Sequence, residues 1–170
     1  MPTNFEKLDQ TALAIANYFI KKSDSKVTPL QLIKLVYISY GYTLAILNKK
    51  LFNEEIEAWQ FGPVIPSVYH SFKHFGRSNI KEVSKNLTFD DELNFIEVTP
   101  EINIENEDEH ELVDAILDKV WDRYQQYNGY ELIDLTHKEN TPWDNVYTKG
   151  KRGLTINDES IYKYYNELLG

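Results

Sequence analysis

The stretch Thr28-Pro29-Leu30-Gln31-Leu32-Ile33-Lys34-Leu35-Val36-Tyr37-Ile38-Ser39-Tyr40-Gly41-Tyr42-Thr43-Leu44-Ala45-Ile46-Leu47-Asn48 decides the fold. Three start signals agree at its head. Thr28 is suited to cap a helix, Pro29 takes the first helical position where its missing N–H is harmless, and Gln31 follows Thr28 by three residues as in a capping box. Apolar residues then surround the helix axis and leave almost no polar face. A helix of this kind is normally enclosed by other elements. The stretch therefore reads as a core helix and the hub of the fold, with Lys34, Tyr37 and Gly41 as its marked positions. Gly41 costs about 1 kcal/mol relative to alanine in mid-helix, which points to close approach of another element there. Lys34 is the one cation, expected to snorkel to the surface or to pair with a carboxylate such as Glu57. Gln31 and Lys34 also argue against a membrane span.

Outward from this hub, Leu8, Ala12, Ile15, Ala16 and Phe19 recur at helical spacing and predict a first helix from Phe5 to Lys22. On the other side Glu55 to Trp59 alternates like a strand. Gln60-Phe61-Gly62-Pro63-Val64-Ile65-Pro66 then reads as a rigid turn leading into a helix that starts at Pro66 and stops at Gly76. From Ser78 to Asn106 the pattern weakens, and Leu93–Val98 and Glu101–Glu105 are either short strands or a variable excursion. Helical spacing returns at Leu112, Val113, Ile116, Val120, Tyr124 and Tyr127, closed by Asn128-Gly129. A short helix Glu131–Lys138, a capped turn Asn140–Asp144, a loop Lys149–Gly153 and a last helix Asn157–Leu169 follow. The fold class expected is mostly α: a single compact helical domain spanning 1–170 around a central buried helix, with a few short β-strands.

A chain of 170 residues with 42% apolar and 14% aromatic residues can bury a core of its own. The absence of cysteine removes disulfide frameworks, thiolate nucleophiles and thiolate zinc sites. The start Met1-Pro2-Thr3-Asn4-Phe5-Glu6 lacks the basic and apolar regions of a secretion signal, so a cytoplasmic protein is expected. The net charge of −9 opposes nucleic acid as a partner. Glu101 to Asp118 holds eight carboxylates and no Lys or Arg. The simpler reading is a solvated helix start that complements the helix dipole; the alternative is a patch that attracts a basic protein.

Candidate chemistry is thin. His70 and His74 have the spacing of a shared metal, but Ser71, Phe72 and Lys73 between them add no ligand. The ligands of Glu107-Asp108-Glu109-His110-Glu111 face different directions on a helix. No metal and no cofactor are expected. Thr136-His137 with Pro142-Trp143 is the most enzyme-like piece, yet no nucleophile elbow accompanies it, and Lys149–Gly153 is too short for a phosphate loop. A His137–Trp143 staple of the C-terminal turn is the simpler reading; a small hydrolase using His137 is the catalytic alternative. Trp59, Phe61, Gly62, Pro63 and Val64 are either a recognition surface or packing against the hub.

The order Thr28-Pro29-Leu30-Gln31-Leu32, Lys34-Leu35 and Tyr37, then Glu57-Ala58-Trp59, Phe61-Gly62-Pro63-Val64, Pro66 and Val68-Tyr69, then Thr136-His137 and Pro142-Trp143, resembles the Panacea domain family. That family includes SocA-like antitoxins and phage-associated GepA-like proteins. The resemblance covers nearly the whole chain, with Asn79 to Glu107 the part that does not align. It implies a bacterial or phage-borne antitoxin, not an enzyme, encoded beside a cognate protein toxin and neutralising it by direct contact. Trp59, Phe61, Gly62, Pro63, Val64, Tyr69, His137 and Trp143 are then the expected partner-binding residues, and a basic toxin the expected partner. A SocA-like member also hands its toxin to a protease, so an adaptor that engages a protease unfoldase, or a phage module that binds a host protein, is the alternative. Some relatives carry a DNA-binding module; this chain has no room for one, and neither nucleic acid nor membrane is expected as a partner.

Overall fold

The computed structural model describes residues 4–170; Met1–Thr3, the beginning of the stretch read as free of a secretion signal, lie outside the described residues. In chain order the elements are β1 (Glu6–Gln10), α1 (Ala12–Lys22), α2 (Pro29–Leu47), β2 (Lys49–Phe52), β3 (Glu57–Trp59), β4 (Gly62–Val64), α3 (Pro66–Phe72) continuing into a 3-10 turn at Lys73–Phe75, β5 (Asn86–Phe89), β6 (Phe95–Val98), α4 (Glu107–Tyr124), α5 (Gly129–His137) and α6 (Asp158–Leu169). The class is mostly α, as the sequence indicates.

The hub helix forms as read. Thr28 Oγ1 accepts from Gln31 N at 3.3 Å and Gln31 Oε1 accepts from Thr28 N at 3.0 Å, closing the capping box. Asn48 ends the helix in a left-handed conformation at φ 54°. Fourteen of the nineteen residues of α2 are buried, so a helix long and apolar enough to cross a membrane serves here as the core. Each of the other five helices packs against it, as do β2 and β4. The buried hydroxyls of Ser39 and Thr43 donate to the carbonyls of Leu35 and Ser39, both at 2.8 Å, so this interior helix leaves neither unsatisfied.

Gly41 marks the closest approach. A Cβ placed there would stand 2.3 Å from Cδ2 of Tyr165 on α6, whose ring is buried and packs edge-on against Tyr42 at 4.9 Å. Gly129 has a comparable role, since a Cβ there would meet Leu30 Cδ2 at 2.7 Å. Asn128-Gly129 is thus the start of α5 and not the closure of α4: Asn128 Oδ1 accepts from Glu131 N at 2.9 Å and Glu131 Oε1 accepts from Asn128 N at 3.2 Å.

Two further expectations are corrected and one open alternative is decided. The first helix begins at Ala12 and not at Phe5, because Thr11 caps it and Glu54 Oε2 accepts from Ala12 N at 2.7 Å; Glu6–Gln10 instead forms a strand parallel to β2. The turn at Gly62-Pro63-Val64 is the second strand of a hairpin, with Trp59 opposite Gly62 and Glu57 opposite Val64. Glu101–Glu105 is not a strand. There the side-chain amide of Gln10 replaces a ladder, donating to Asn103 O at 2.9 Å and accepting from Asn103 N at 2.8 Å.

Lys34 neither snorkels nor pairs with Glu57. It is buried, and its Nζ donates to the carbonyl of Pro63 at 2.8 Å, with no carboxylate at ion-pair distance among the described residues. The ammonium also explains Gly62, whose φ of +106° suits glycine and where a Cβ would sit 2.8 Å from Nζ. Burial pushes the Lys34 ammonium down to about 7.

Two outcomes follow from this packing. Gly41→Ala gains about 1 kcal/mol of helix propensity but forces Tyr165 to move, and overpacking costs about 1–3 kcal/mol; the urea midpoint should fall, and an unchanged or higher midpoint would contradict the contact. Lys34 titrates near 7 when folded and near 10.4 when unfolded. Between those values the unfolded chain holds a proton that the folded chain has released, so stability rises with pH from about 7 upward, by at most about 1.4 kcal/mol per pH unit. Below about 7 both states are protonated, and this contribution becomes flat. Denaturant unfolding at pH 7 and pH 9 should show the rise in the parent protein and not in Lys34→Met.

Candidate protein-binding site

The β3–β4 hairpin is seated on Lys34, and its two-residue loop holds Gln60 and Phe61 out to solvent. Phe61 is 61% exposed, while Gly62, Pro63 and Val64 are buried and shape the surface from beneath. Trp59 is half-buried with its ring edge-on to Tyr69 at 4.9 Å, and the Lys73 ammonium stands 5.9 Å from the Tyr69 ring centre. Behind this face Trp143 Nε1 donates to the carbonyl of Trp59 at 2.6 Å. Buried Trp143 is itself sandwiched between His137, at 5.0 Å, and Tyr147, stacked at 4.6 Å. The structure thus splits the eight expected partner-binding residues. Trp59, Phe61 and Tyr69 line one open groove, and His137 and Trp143 brace the hairpin from inside.

This arrangement bears on the catalytic alternative. The hydroxyl of Thr136 donates to Leu132 O at 2.8 Å, within its own helix, and is not offered to His137. His137 Nδ1 is buried without a hydrogen-bond partner. His70 and His74 are both exposed, and no group of three or more metal-ligating side chains occurs among the described residues.

The acidic run is largely used within the molecule. Asn106 caps α4, and Glu107, Asp108 and Glu109 fill its first turn, where carboxylates complement the helix dipole. Glu101 pairs with Lys21 at 3.1 Å, Glu109 pairs with Lys49, and Asp118 pairs with Lys22 at 3.0 Å and accepts from the Tyr18 hydroxyl. The Tyr18 bond, then Lys22, hold the Asp118 carboxyl below its usual range.

A second surface lies where the sequence pattern was weakest. β5 and β6 form an antiparallel arm with Phe89 opposite Phe95 and Leu87 opposite Glu97. Leu87, Phe89, Leu93, Phe95, Ile96 and Val98 are all exposed, Leu93 to 78% and Phe95 to 73%. The Phe89 and Phe95 rings touch at 4.6 Å. At the tip the Asp90 carboxylate accepts from Asn94 N and Glu92 N, both at 2.9 Å, which holds it below its usual range and shapes the bend that places Leu93 at φ 65°. The base is clamped by one buried side chain. Asn17 of α1 donates to Ser84 O at 3.1 Å and Pro100 O at 3.0 Å and accepts from Ser84 N at 2.8 Å. Sequence reading marked the alternation at Leu93–Val98 but missed the pairing with Asn86–Phe89 and the clamp. An Asn on the buried side of an otherwise apolar helix was the available signal.

The family model for the antitoxin SocA-like Panacea domain matches residues 32–144, running through the arm that motif comparison left unaligned. The chain is also similar to Antitoxin SocA of Caulobacter vibrioides (strain NA1000 / CB15N), 30% identical over 138 residues that make up 78% of this chain and 68% of that protein. No solved structure matches the chain. An antitoxin family of this kind points to a regulatory role without catalysis and to a toxin as the general class of partner. The chain belongs to the SocA-like antitoxin family that carries the Panacea domain.

Proposed function

We propose that this protein is an antitoxin that neutralises one cognate toxin by direct protein contact, with the β5–β6 arm as the principal contact. The observation that carries this reading is the arm's six exposed large apolar side chains. A two-stranded ribbon is marginal in water by itself, and apolar exposure on both of its faces, Leu87, Phe89 and Phe95 on one and Ile96 and Val98 on the other, suits an interaction surface. Among the described residues both outer strand edges are free of a third strand, so a toxin can add backbone pairing to side-chain contact. The Asn17 clamp holds the arm in place before the partner arrives, which reduces the ordering cost of binding. Trp59, Phe61 and Tyr69 supply a second contact face. Toxin and antitoxin meet in the cytoplasm in this account.

Co-expression with the product of the adjacent gene tests the reading. The double variant Phe89→Ser/Phe95→Ser removes the aromatic pair next to the tip, where Phe89 is 55% and Phe95 73% exposed, so unfolding should shift by no more than about 0.5 kcal/mol. Each truncation at an interface anchor costs about 1–2 kcal/mol or more in affinity. Growth rescue and co-purification should both be lost. A variant that rescues as well as the parent would remove the arm from the mechanism; an adjacent product that is toxic but neither binds nor is relieved would remove the antitoxin assignment.

A further inference from the structure

The cations of this acidic chain are unevenly placed. Two adjoining hollows, of about 390 and 820 Å³, share Trp59, Gln60, Tyr69 and Lys73. The charged residues of the first are Lys34 and Lys73, and its floor is otherwise apolar, with Leu30, Ile33 and Val64. The second adds Lys151 and Arg152, against the single acid Glu57. Lys73, Lys151 and Arg152 have no carboxylate at ion-pair distance among the described residues, so their charge is not spent on the chain itself. Lys34 places one of its three donors on Pro63 O.

The loop bearing Lys151 and Arg152 is positioned. Gly150 and Gly153 turn it at φ 81° and 72°. The chain leaving it pairs beside β3, where Ala58 N donates to Leu154 O and Ile156 N donates to Ile56 O, both at 2.8 Å. Lys151 and Arg152 thereby line the same hollow as Trp59 and Tyr69.

We infer that this double hollow binds an acidic peptide segment of a protein partner, with an apolar side chain seated against Phe61 and Trp59 and its carboxylates on Lys73, Lys151 and Arg152. The inference rests on the reading that the chain acts by protein contact, but it names the opposite partner charge from the basic toxin that the acidic run suggests. Unpaired cations beside apolar walls favour a carboxylate next to an aromatic or aliphatic side chain. A nucleic acid spreads one charge per about 1.7 Å along its whole length, and the chain's net charge of −9 opposes it.

Selection of random dodecapeptides on the immobilised full chain tests this. Enriched peptides should carry Asp or Glu beside Leu, Phe or Trp. A fluorescein-labelled copy of the best of them should bind the parent protein and the Lys163→Glu control equally, and Lys73→Glu/Arg152→Glu at least tenfold more weakly. Enrichment of neutral or basic sequences, equal binding by the charge-reversed variant, or displacement of the peptide by a single-stranded oligonucleotide would each overturn the proposal. Toxin rescue is scored separately in the same variants. Rescue that depends on the arm while no acidic peptide is selected defeats this inference alone; acidic peptides bound by a protein that rescues nothing defeat the antitoxin reading alone.

Discussion

An α-helix with no polar face is stable in water only when other elements enclose it, and the arrangement of this protein follows from enclosing α2. Five helices and two strands cover it, and the tolerances are close: the Tyr165 ring needs the missing side chain at Gly41, and Leu30 needs the one missing at Gly129. Deleting either absence, by adding a methyl group, disturbs the packing more than its size suggests, because folded interiors have little free volume. The polar side-chain atoms of α2 are handled in different ways: Ser39 and Thr43 bond back to their own helix, the Tyr40 and Tyr42 hydroxyls bond to Asp158 and Tyr124, and the Tyr37 hydroxyl is buried without a partner among the described residues.

Lys34 links the core helix to the hairpin. Its stem crosses the interior and its head donates to the Pro63 carbonyl, which fixes the β3–β4 hairpin at a chosen height over α2. Trp143 secures the same hairpin from the C-terminal side through the Trp59 carbonyl. Phe61 is exposed because the residues on either side of its loop are held from below. The arm is set up by the same means on the other part of the scaffold, where one Asn17 carboxamide joins Ser84 and Pro100 at its base. In both places a rigid helix and a single polar side chain present apolar surface outward, an arrangement that suits recognition more than chemistry.

Thr28 to Asn48 could be read almost residue by residue, since the capping box, the proline at the first position and the mid-helix glycine each have one physical meaning there. Leu8 was ambiguous, because its burial satisfies a strand beside β2 as well as a helical face, and the choice was made by Glu54, forty-two positions from Ala12. Pro63 argued for a turn, yet β4 is short and pairs only with β3, which leaves room for a residue without an N–H. Asn128-Gly129 read as an ending, yet Glu131, three residues after Asn128, closes a capping box that makes it a beginning. Of the two candidate surfaces, the Trp59 motif was visible as a pattern but not its division into exposed and bracing residues. The arm was the larger omission. Alternation marks a strand, but no local pattern tells that both faces of a ribbon stay uncovered.

The central claim is that the uncovered arm is where a toxin is held. Hydrogen exchange of the purified protein, alone and in complex with the adjacent gene's product, addresses it directly. The account predicts that those amides of Asn86–Val98 that face the outer strand edges become strongly protected in the complex, while α2 is slow to exchange in both. Unchanged exchange across Asn86–Val98 with new protection elsewhere would contradict it.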